Sequence, residues 1–333
     1  MFISDFDYDL PEELIAQVAA EPRSSARLLI DQGTSPPIHS LVERLGDELR
    51  PGDVVVVNNT KVLPARIHLF RATGGKVELL LLEPVGEGEW ECLLRPGGKL
   101  RPGEQLYSAS GLPMVTVLGR RDTPSAATFS VSVDVAEEDL FELGELPLPP
   151  YITERPDDPN RYQTVFANRA ASAAAPTAGL HLTRELITDL SGSGVRFLEV
   201  ELIVGIDTFR PVEVENLDDH VMHTESYRVA QHVFDEVRNA DRVIAVGTTS
   251  TRALESAATR GQLSGRTDLF IRPGYDWKLV DLMLTNFHQP RTTLLVMIEA
   301  FIGTRWRQLY EEAIDQRYRM LSFGDAMLLN RHR

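Results

Sequence analysis

Hydrophobic and polar positions fall into three successive textures along the chain. In the first, Asp9-Leu10-Pro11-Glu12-Glu13 places a capping residue, a proline and two acids ahead of "LIAQVA", an order that predicts a helix start. "RLLID" (27–31) and "DVVVVNN" (53–59) are short apolar runs, the pattern of strands covered on both faces. Between them "SLVERLGDELRPGD" has the spacing of an amphipathic helix closed by Pro-Gly. After Pro64 the period shortens. "ARIHLFRATGGKVELLLLEPV", "EWECLLRPGGKLRPGEQLY", "PMVTVLGRR" and "ATFSVSV" are divided by Gly-Gly and Pro-Gly turns, which predicts an antiparallel sheet or small barrel. The proline-rich "LGELPLPPYI" reads as the linker that ends it.

From Gln163 onward helices and apolar strands alternate. "LTRELITDLSGSG" is a helix ending in glycine, "VRFLEVELIVG" a strand, and "ESYRVAQHVFDEVRNA" contains a helix. "DRVIAVG" is a strand entering the helix "TTSTRALESAATRG"; "TDLFI", "LMLTNFH", the apolar "TTLLVMIEAFIG" and a last helix around "WRQLYEEAIDQRYRM" follow. Alternation of this kind predicts an α/β class: a layered α/β main domain from 1–63 and 151–333, with an antiparallel β-barrel domain, 64–150, inserted in it.

Composition agrees with this organisation and narrows the chemistry. A length of 333 residues suggests about two domains, and 43% apolar residues can fill two cores. No apolar run reaches the ~18–20 residues of a membrane span. The acidic start "MFISDFDYDLPEEL" lacks a basic-then-apolar leader pattern, and Cys92 is the single cysteine, so no internal disulfide or cysteine zinc cluster is available. A cytoplasmic protein is expected. The net charge of −15 argues against non-specific nucleic-acid binding. It is uneven, though: Thr251 to Arg333 holds 12 Lys+Arg against 9 Asp+Glu, or +3, leaving −18 on the rest, so a specific RNA-binding face near the C-terminus stays open.

Four stretches carry candidate chemistry. In "AAAPTAGLHLT" three alanines and Pro176 lead to Thr177, to Gly179, which allows close approach, and to His181 just before a helix that begins around Thr183 and Glu185. A helix N-terminus disfavours imidazolium, leaving a neutral ring able to accept a proton; a local hydrogen bond in a tight turn is the plainer role. "DDHVMHTESY" presents His220, His223, Glu225 and Tyr227, whose spacing is not that of a zinc-protease helix and suits a polar wall better than a metal. "RVIAVGTTSTRALESA" turns from a strand through Gly247 into Thr248, Thr249, Ser250 and Arg252, aiming backbone N–H groups at an anion or simply capping the helix. It lacks the P-loop and dinucleotide-binding signatures. In "DLMLTNFHQPRTTLL" Asn286 can read a purine edge, Phe287 can stack on a base, His288 can exchange a proton and Arg291 can hold an anion; an ordinary polar connection is the alternative.

These stretches, together with "DFDYDLPEELIAQ", "RSSARLL", "PGDVVVVNNTKVLPARI", "LPLPPYI", "RYQTVFA", "TFRPV", "TDLFIRPGY" and "YRMLSFGDAMLL", resemble the S-adenosylmethionine:tRNA ribosyltransferase-isomerase family of queuosine biosynthesis over nearly the whole chain. The resemblance implies the same fold, an α/β domain carrying an inserted β-barrel. It implies that the ribosyl part of S-adenosylmethionine moves to 7-aminomethyl-7-deazaguanine at the tRNA wobble position and is isomerised, giving epoxyqueuosine with release of adenine and methionine. The implied partners are S-adenosylmethionine and a tRNA carrying that base, with no membrane; no metal or organic cofactor is implied, because S-adenosylmethionine is consumed as a substrate. On this footing His181 is a candidate base, His288 a candidate acid or adenine contact, and His223 a further catalytic candidate. Substrate contacts are assigned to Thr177, Gly179, Thr208, Arg210, His220, Glu225, Tyr227, Gly247, Thr248, Thr249, Ser250, Arg252, Asn286, Phe287 and Arg291.

The chain departs from the family pattern in four places: "LIVGIDTF" has Ile203 for a histidine and Asp207 for a glycine, Leu182 replaces an aromatic, and Gln289 replaces a leucine. Isoleucine can neither hydrogen-bond nor transfer a proton, and a carboxylate at 207 repels an anionic acceptor. Two alternatives follow: an enzyme using S-adenosylmethionine with a small-molecule acceptor or a different bond cleavage, and a non-catalytic RNA- or nucleoside-binding relative.

Overall fold

A computed structural model of the chain describes residues 1–122, 127–154, 158–205 and 211–331. Two compact units emerge: Met1–Thr60, Pro149–Arg169 and Ala175–Arg333 form the larger, and Lys61–Leu148 with Ala170–Ala174 the smaller.

In the larger unit the strands are β1 (Arg27–Ile30), β2 (Ile38–Leu41), β3 (Val54–Asn58), β4 (Arg196–Leu202), β5 (Glu225–Arg228), β6 (Val243–Val246), β7 (Ser264–Thr267), β8 (Leu282–Asn286) and β9 (Ala326–Asn330). The helices are α1 (Arg184–Gly192), α2 (Gln231–Arg238), α3 (Gly247–Arg260), α4 (Thr293–Ile302) and α5 (Trp306–Asp315). The strands make one mixed sheet in the order β7-β5-β4-β3-β6-β8-β9-β1-β2. Its centre, β4-β3-β6-β8, is parallel. β9 runs antiparallel to β8 and parallel to β1.

Period-2 alternation decides which side chains face which layer. Val55, Val57, Ile244, Val246, Leu282 and Leu284 join Leu182, Leu186 and Leu190 in one core. Val54, Val56, Ala245 and Met283 point the other way and are equally buried, with α3 packed across β3, β4, β6 and β8. A sheet covered on both faces needs uniformly apolar central strands, which is why "VVVV" and "VIAV" show no alternation of polarity.

Two predicted helices are corrected. After Pro11 the chain makes only a 3-10 turn, Glu12–Leu14. Ile15 then bridges Met320, with Ala16 N–H donating to Met320 C=O and Met320 N–H to Leu14 C=O, so the backbone groups a helix needs are spent on a distant segment. In "SLVERLGDELRPGD" Ser40 and Leu41 pair with β1, and what remains before Pro51 forms a short 3-10 helix, Val42–Asp47, burying Val42 and Leu45 on its three-residue repeat.

The smaller unit is an antiparallel barrel. Arg66–Arg71, Lys76–Gly86, Glu89–Arg95, Ala127–Val133, Pro113–Asp122 and Gln105–Tyr107 pair in that order, and Gln105–Tyr107 closes back onto Arg66–Arg71. Ile67, Leu69, Val77, Leu79, Trp90, Cys92, Val115, Val117 and Val131 fill its interior. The layered α/β sheet and the inserted antiparallel barrel expected from the sequence pattern are both present. Leu63 N–H donates to Ser172 C=O, which draws part of the alanine-rich stretch into the smaller unit; that pairing spans more than a hundred residues and has no local signal. Among the described residues no helix is long and apolar enough to cross a membrane.

Candidate functional site

β6 and β8 are parallel neighbours, and a cavity opens where both reach their carboxyl ends, the position at which open α/β sheets place ligands. β6 runs into Gly247, which has φ +84°, a conformation strained for any L side chain, and α3 begins there. Thr248 and Thr249 of its first turn line the cavity, and the buried Thr249 hydroxyl has no hydrogen-bond partner among the described residues. β8 delivers Thr285 and Asn286, followed by Phe287, His288 and Gln289. Thr177 and Ala178 come from a 3-10 turn, Thr177–His181, and Tyr151, Leu321 and Ser322 complete the wall, with Tyr151 Oη 2.7 Å from Ser322 Oγ. Leu321 holds φ +68°, a rare conformation for leucine, kept by the turn around it.

His288 lines the cavity, and its backbone is held from both sides. Its N–H donates to Tyr310 Oη at 2.8 Å and its carbonyl accepts from Tyr8 Oη at 2.6 Å. The ring Nε2 lies 3.1 Å from Thr285 Oγ1. Burial pushes the imidazole down to about 3. The ring is neutral at neutral pH.

His181 differs from the expectation. It sits behind the wall, 5% exposed, and does not line the cavity. α1 begins at Arg184 with Thr183 as cap, so His181 closes the preceding 3-10 turn rather than the helix start. Its pKa is lowered to about 4, chiefly by burial and then by Arg319 and Arg23. Its Nε2 is 3.0 Å from Asn286 Nδ2, so its reach to the cavity is through Asn286.

The remaining expected residues divide. Thr177, Gly247, Thr248, Thr249, Asn286 and Phe287 do line the cavity. The Phe287 ring is nonetheless committed to the aromatic core, edge-on to Tyr310 and Tyr318. Gly179 admits no ligand: a Cβ there would stand 2.6 Å from the Phe166 ring and 3.0 Å from Thr164 Cγ2, so its smallness serves packing. Ser250 is fully buried behind the first turn of α3. Arg291 faces Asp7 and Glu215, at 3.6 and 3.3 Å. His220, His223, Glu225, Tyr227 and Arg252 lie off the cavity. Arg252 ties two of them, reaching Glu225 at 2.5 Å and the His223 carbonyl, and it also donates to the Thr267 carbonyl. Tyr227 donates to Gln262 C=O and His220 packs edge-on against Phe270. Glu225 also accepts from Gly205 N–H, so the cluster braces the strand end next to cavity-lining Val204. Thr208, Arg210 and Asp207 lie outside the described residues. Of the departures, Ile203 donates its N–H to Ser226 C=O and does not line the cavity, Leu182 is core, and Gln289 lines the cavity.

Sequence reasoning missed Tyr151, Thr285, Thr292, Leu321 and Ser322. Thr285 and Thr292 flank the loop already singled out and were within reach of it; Leu321 and Ser322 sit in a stretch with no chemical signature and arrive by tertiary folding.

The two depressed histidines make stability depend on pH. In the unfolded chain both rings titrate near 6.5, whereas in the fold they stay neutral down to about 4 and about 3. Above pH 6.5 neither state holds these protons and the contribution is fully present; as pH falls toward the folded values the unfolded chain binds protons the fold refuses, and stability is lost. Near pH 5.5 the two rings together should contribute a slope of roughly 2 kcal/mol per pH unit. Denaturant midpoints for wild type and His181→Gln between pH 5.5 and 7.5 check this: the variant's slope should be about half as steep from this source, and equal slopes would sink the assignment.

The family model described as queuosine biosynthesis protein matches residues 3–329. An S-adenosylmethionine:tRNA ribosyltransferase-isomerase of Carboxydothermus hydrogenoformans is 47% identical over 99% of this chain and 100% of its own length. A relative of the same name from Symbiobacterium thermophilum is 46% identical with the same coverage. The crystal structure of an S-adenosylmethionine tRNA ribosyltransferase from Thermotoga maritima is 34% identical, with a TM-score of 0.56 over 97% of this chain and 99% of that one. A match from end to end, across both the sheet and the barrel, means that the chain belongs to the queuosine biosynthesis protein family.

Proposed function

We propose that the chain transfers and isomerises the ribosyl moiety of S-adenosylmethionine onto the 7-aminomethyl-7-deazaguanine wobble base of tRNA, releasing adenine and methionine. The observation that carries the reading is the juxtaposition, in one cavity, of a neutral imidazole, a side-chain amide and the hydroxyl-rich N-terminus of a fourteen-residue helix. A sulfonium acidifies the hydrogens on the adjoining ribose carbon, and in this reading His288, on the cavity wall, takes one. Burial works against the imidazolium, but a substrate carboxylate bound nearby favours it. Once charged, the ring is a donor for departing adenine, which needs a proton as its bond to ribose breaks; methionine leaves as a neutral thioether. The first turn of α3, with Thr248 and Thr249, suits the carboxylate of the amino-acid end. S-adenosylmethionine supplies the activated ribosyl group, so the reading calls for no metal or organic cofactor. No feature of the described site favours a small-molecule acceptor, since Ile203 stands off the cavity.

The test is adenine release from S-adenosylmethionine with and without tRNA bearing 7-aminomethyl-7-deazaguanine. Adenine only in the presence of that tRNA, with a matching mass gain on the RNA, is the expected result. Adenine without RNA, or none in either case, overturns it.

A further inference from the structure

We propose that His181 is a positioning residue: it holds the Asn286 amide in one orientation, so that the cavity meets the S-adenosylmethionine nucleoside with a hydrogen-bond acceptor at that point. The inference rests on the proposed reaction for the identity of the ligand, but its geometry does not.

A side-chain amide has one accepting and one donating end, and its neighbours decide which faces where. Three neighbours surround the Asn286 amide, and the one that can only accept sets its orientation. Leu321 C=O can only accept, and it lies 3.2 Å from Nδ2. The Thr177 hydroxyl donates to Oδ1 at 3.3 Å. The second Nδ2 hydrogen is then aimed at His181 Nε2, 3.0 Å away, which must offer a lone pair. That ring is therefore the tautomer protonated on Nδ1, and a protonated Nε2 would set donor against donor. Turning the amide over would set Oδ1 against the Leu321 carbonyl, acceptor against acceptor. The Leu321 carbonyl, which can only accept, rejects the flipped state outright, and His181 rejects it for as long as its proton stays on Nδ1. The Thr177 hydroxyl can accept as well as donate and follows these two. Each buried group left unpaired costs about 1–3 kcal/mol.

Burial supports the same arrangement from the other side. His181 and Asn286 are 5% and 3% exposed, so water cannot substitute for a lost partner. The lowered pKa of His181 keeps the ring neutral at neutral pH, so that one of its two nitrogens carries a lone pair. Asn286 and Thr177 both stand on the cavity wall, and the hydrogen-bonding capacity the amide has left for a ligand is the second lone pair of Oδ1. A ligand group seated there must donate, as the exocyclic amine of adenine or a ribose hydroxyl does. The imidazole is withheld from proton transfer because its one basic nitrogen is already used.

Gln and Asn separate this role from that of a base. Glutamine can bring its amide oxygen near the place of Nε2; asparagine is too short to reach it; neither accepts a proton at neutral pH. In adenine-release assays His181→Gln should keep kcat/KM within about fivefold of wild type, while His181→Asn and His181→Ala lose about 10–100-fold, mostly in KM. His181→Ala/Asn286→Ala should be no worse than Asn286→Ala, because the two act as one unit. His181→Gln as inactive as His181→Ala, with the loss in kcat, would overturn the proposal and restore His181 as a base. A second measurement needs no turnover: in the nitrogen-15 histidine spectrum, the signals absent from His181→Gln should show Nδ1 protonated and Nε2 bare from pH 5.5 to 8. A proton on Nε2, or a titration near pH 6.5, overturns the inference. Wild-type protein that releases no adenine would sink the proposed reaction while leaving the spectrum to decide this point.

Discussion

Replacing His288 with alanine is expected to lower adenine release by about 10²–10⁴-fold, the usual contribution of a positioned proton-transfer group. The fold should survive, because what anchors this residue is its backbone: N–H to Tyr310 Oη and carbonyl to Tyr8 Oη remain after the ring is gone. The ring itself lines a cavity, so its removal enlarges that cavity rather than opening a void inside the core. Steady-state assays at equal folded concentration, with thermal unfolding as a control, check the expectation. Turnover within fivefold of wild type would remove His288 from the chemistry and leave the cavity without an imidazole on its described walls.

Gly324→Ala is expected to cost the larger unit much of its stability. A Cβ at Gly324 would stand 2.3 Å from Arg319 O and 2.6 Å from Met320 C, both backbone atoms that no rotamer change can move aside. The turn from Arg319 to Asp325 is stitched closed: Asp325 N–H donates to Arg319 C=O, and the Asp325 carboxylate accepts from the N–H groups of Arg27 and Arg319. Relief of the clash must break part of this. A cost of about 3 kcal/mol is expected, or roughly 6–12 °C in Tm for a unit of this size. Activity should fall as well, since the same turn presents Leu321 and Ser322 to the cavity and supplies the carbonyl that orients Asn286. Gly192→Ala, where a Cβ meets nothing within 4 Å, serves as the control. A Tm within 2 °C of wild type for Gly324→Ala would show that the turn has slack the structure does not display.

Legibility differed by element type. "VVVV", "VIAV" and "LMLTN" were readable as strands because burial on both faces demands uninterrupted apolar character, and that demand is local. The helix expected at "LIAQVA" failed because Met320, some three hundred residues away, takes its backbone hydrogen bonds. Motif reading pointed to stretches that reach the cavity, with their residues placed differently inside them. In "TNFHQPR" Asn286 and His288 line the cavity, whereas the Phe287 ring, expected to meet a ligand, packs on Tyr310 and Tyr318, and Arg291, expected to meet an anion, faces Asp7 and Glu215. An arginine reads the same whether its carboxylates belong to the protein or to a substrate.

The sequence by itself determined the layered sheet, the inserted barrel and the family, because periodicity, turn residues and end-to-end similarity are properties of the chain in order. It also determined which loops reach the cavity, since the carboxyl ends of parallel strands follow from the strands themselves. The tertiary structure decided the roles within those loops. His181 and His288 are equally plausible imidazoles in a linear reading; what separates them is that one lines the cavity and the other stands behind Asn286. That difference is set by Leu321, Thr177 and the Arg319–Asp325 turn, whose positions come from folding distant segments together. Proton transfer requires contact within about 3 Å, and no spacing along the chain encodes a distance between residues a hundred positions apart.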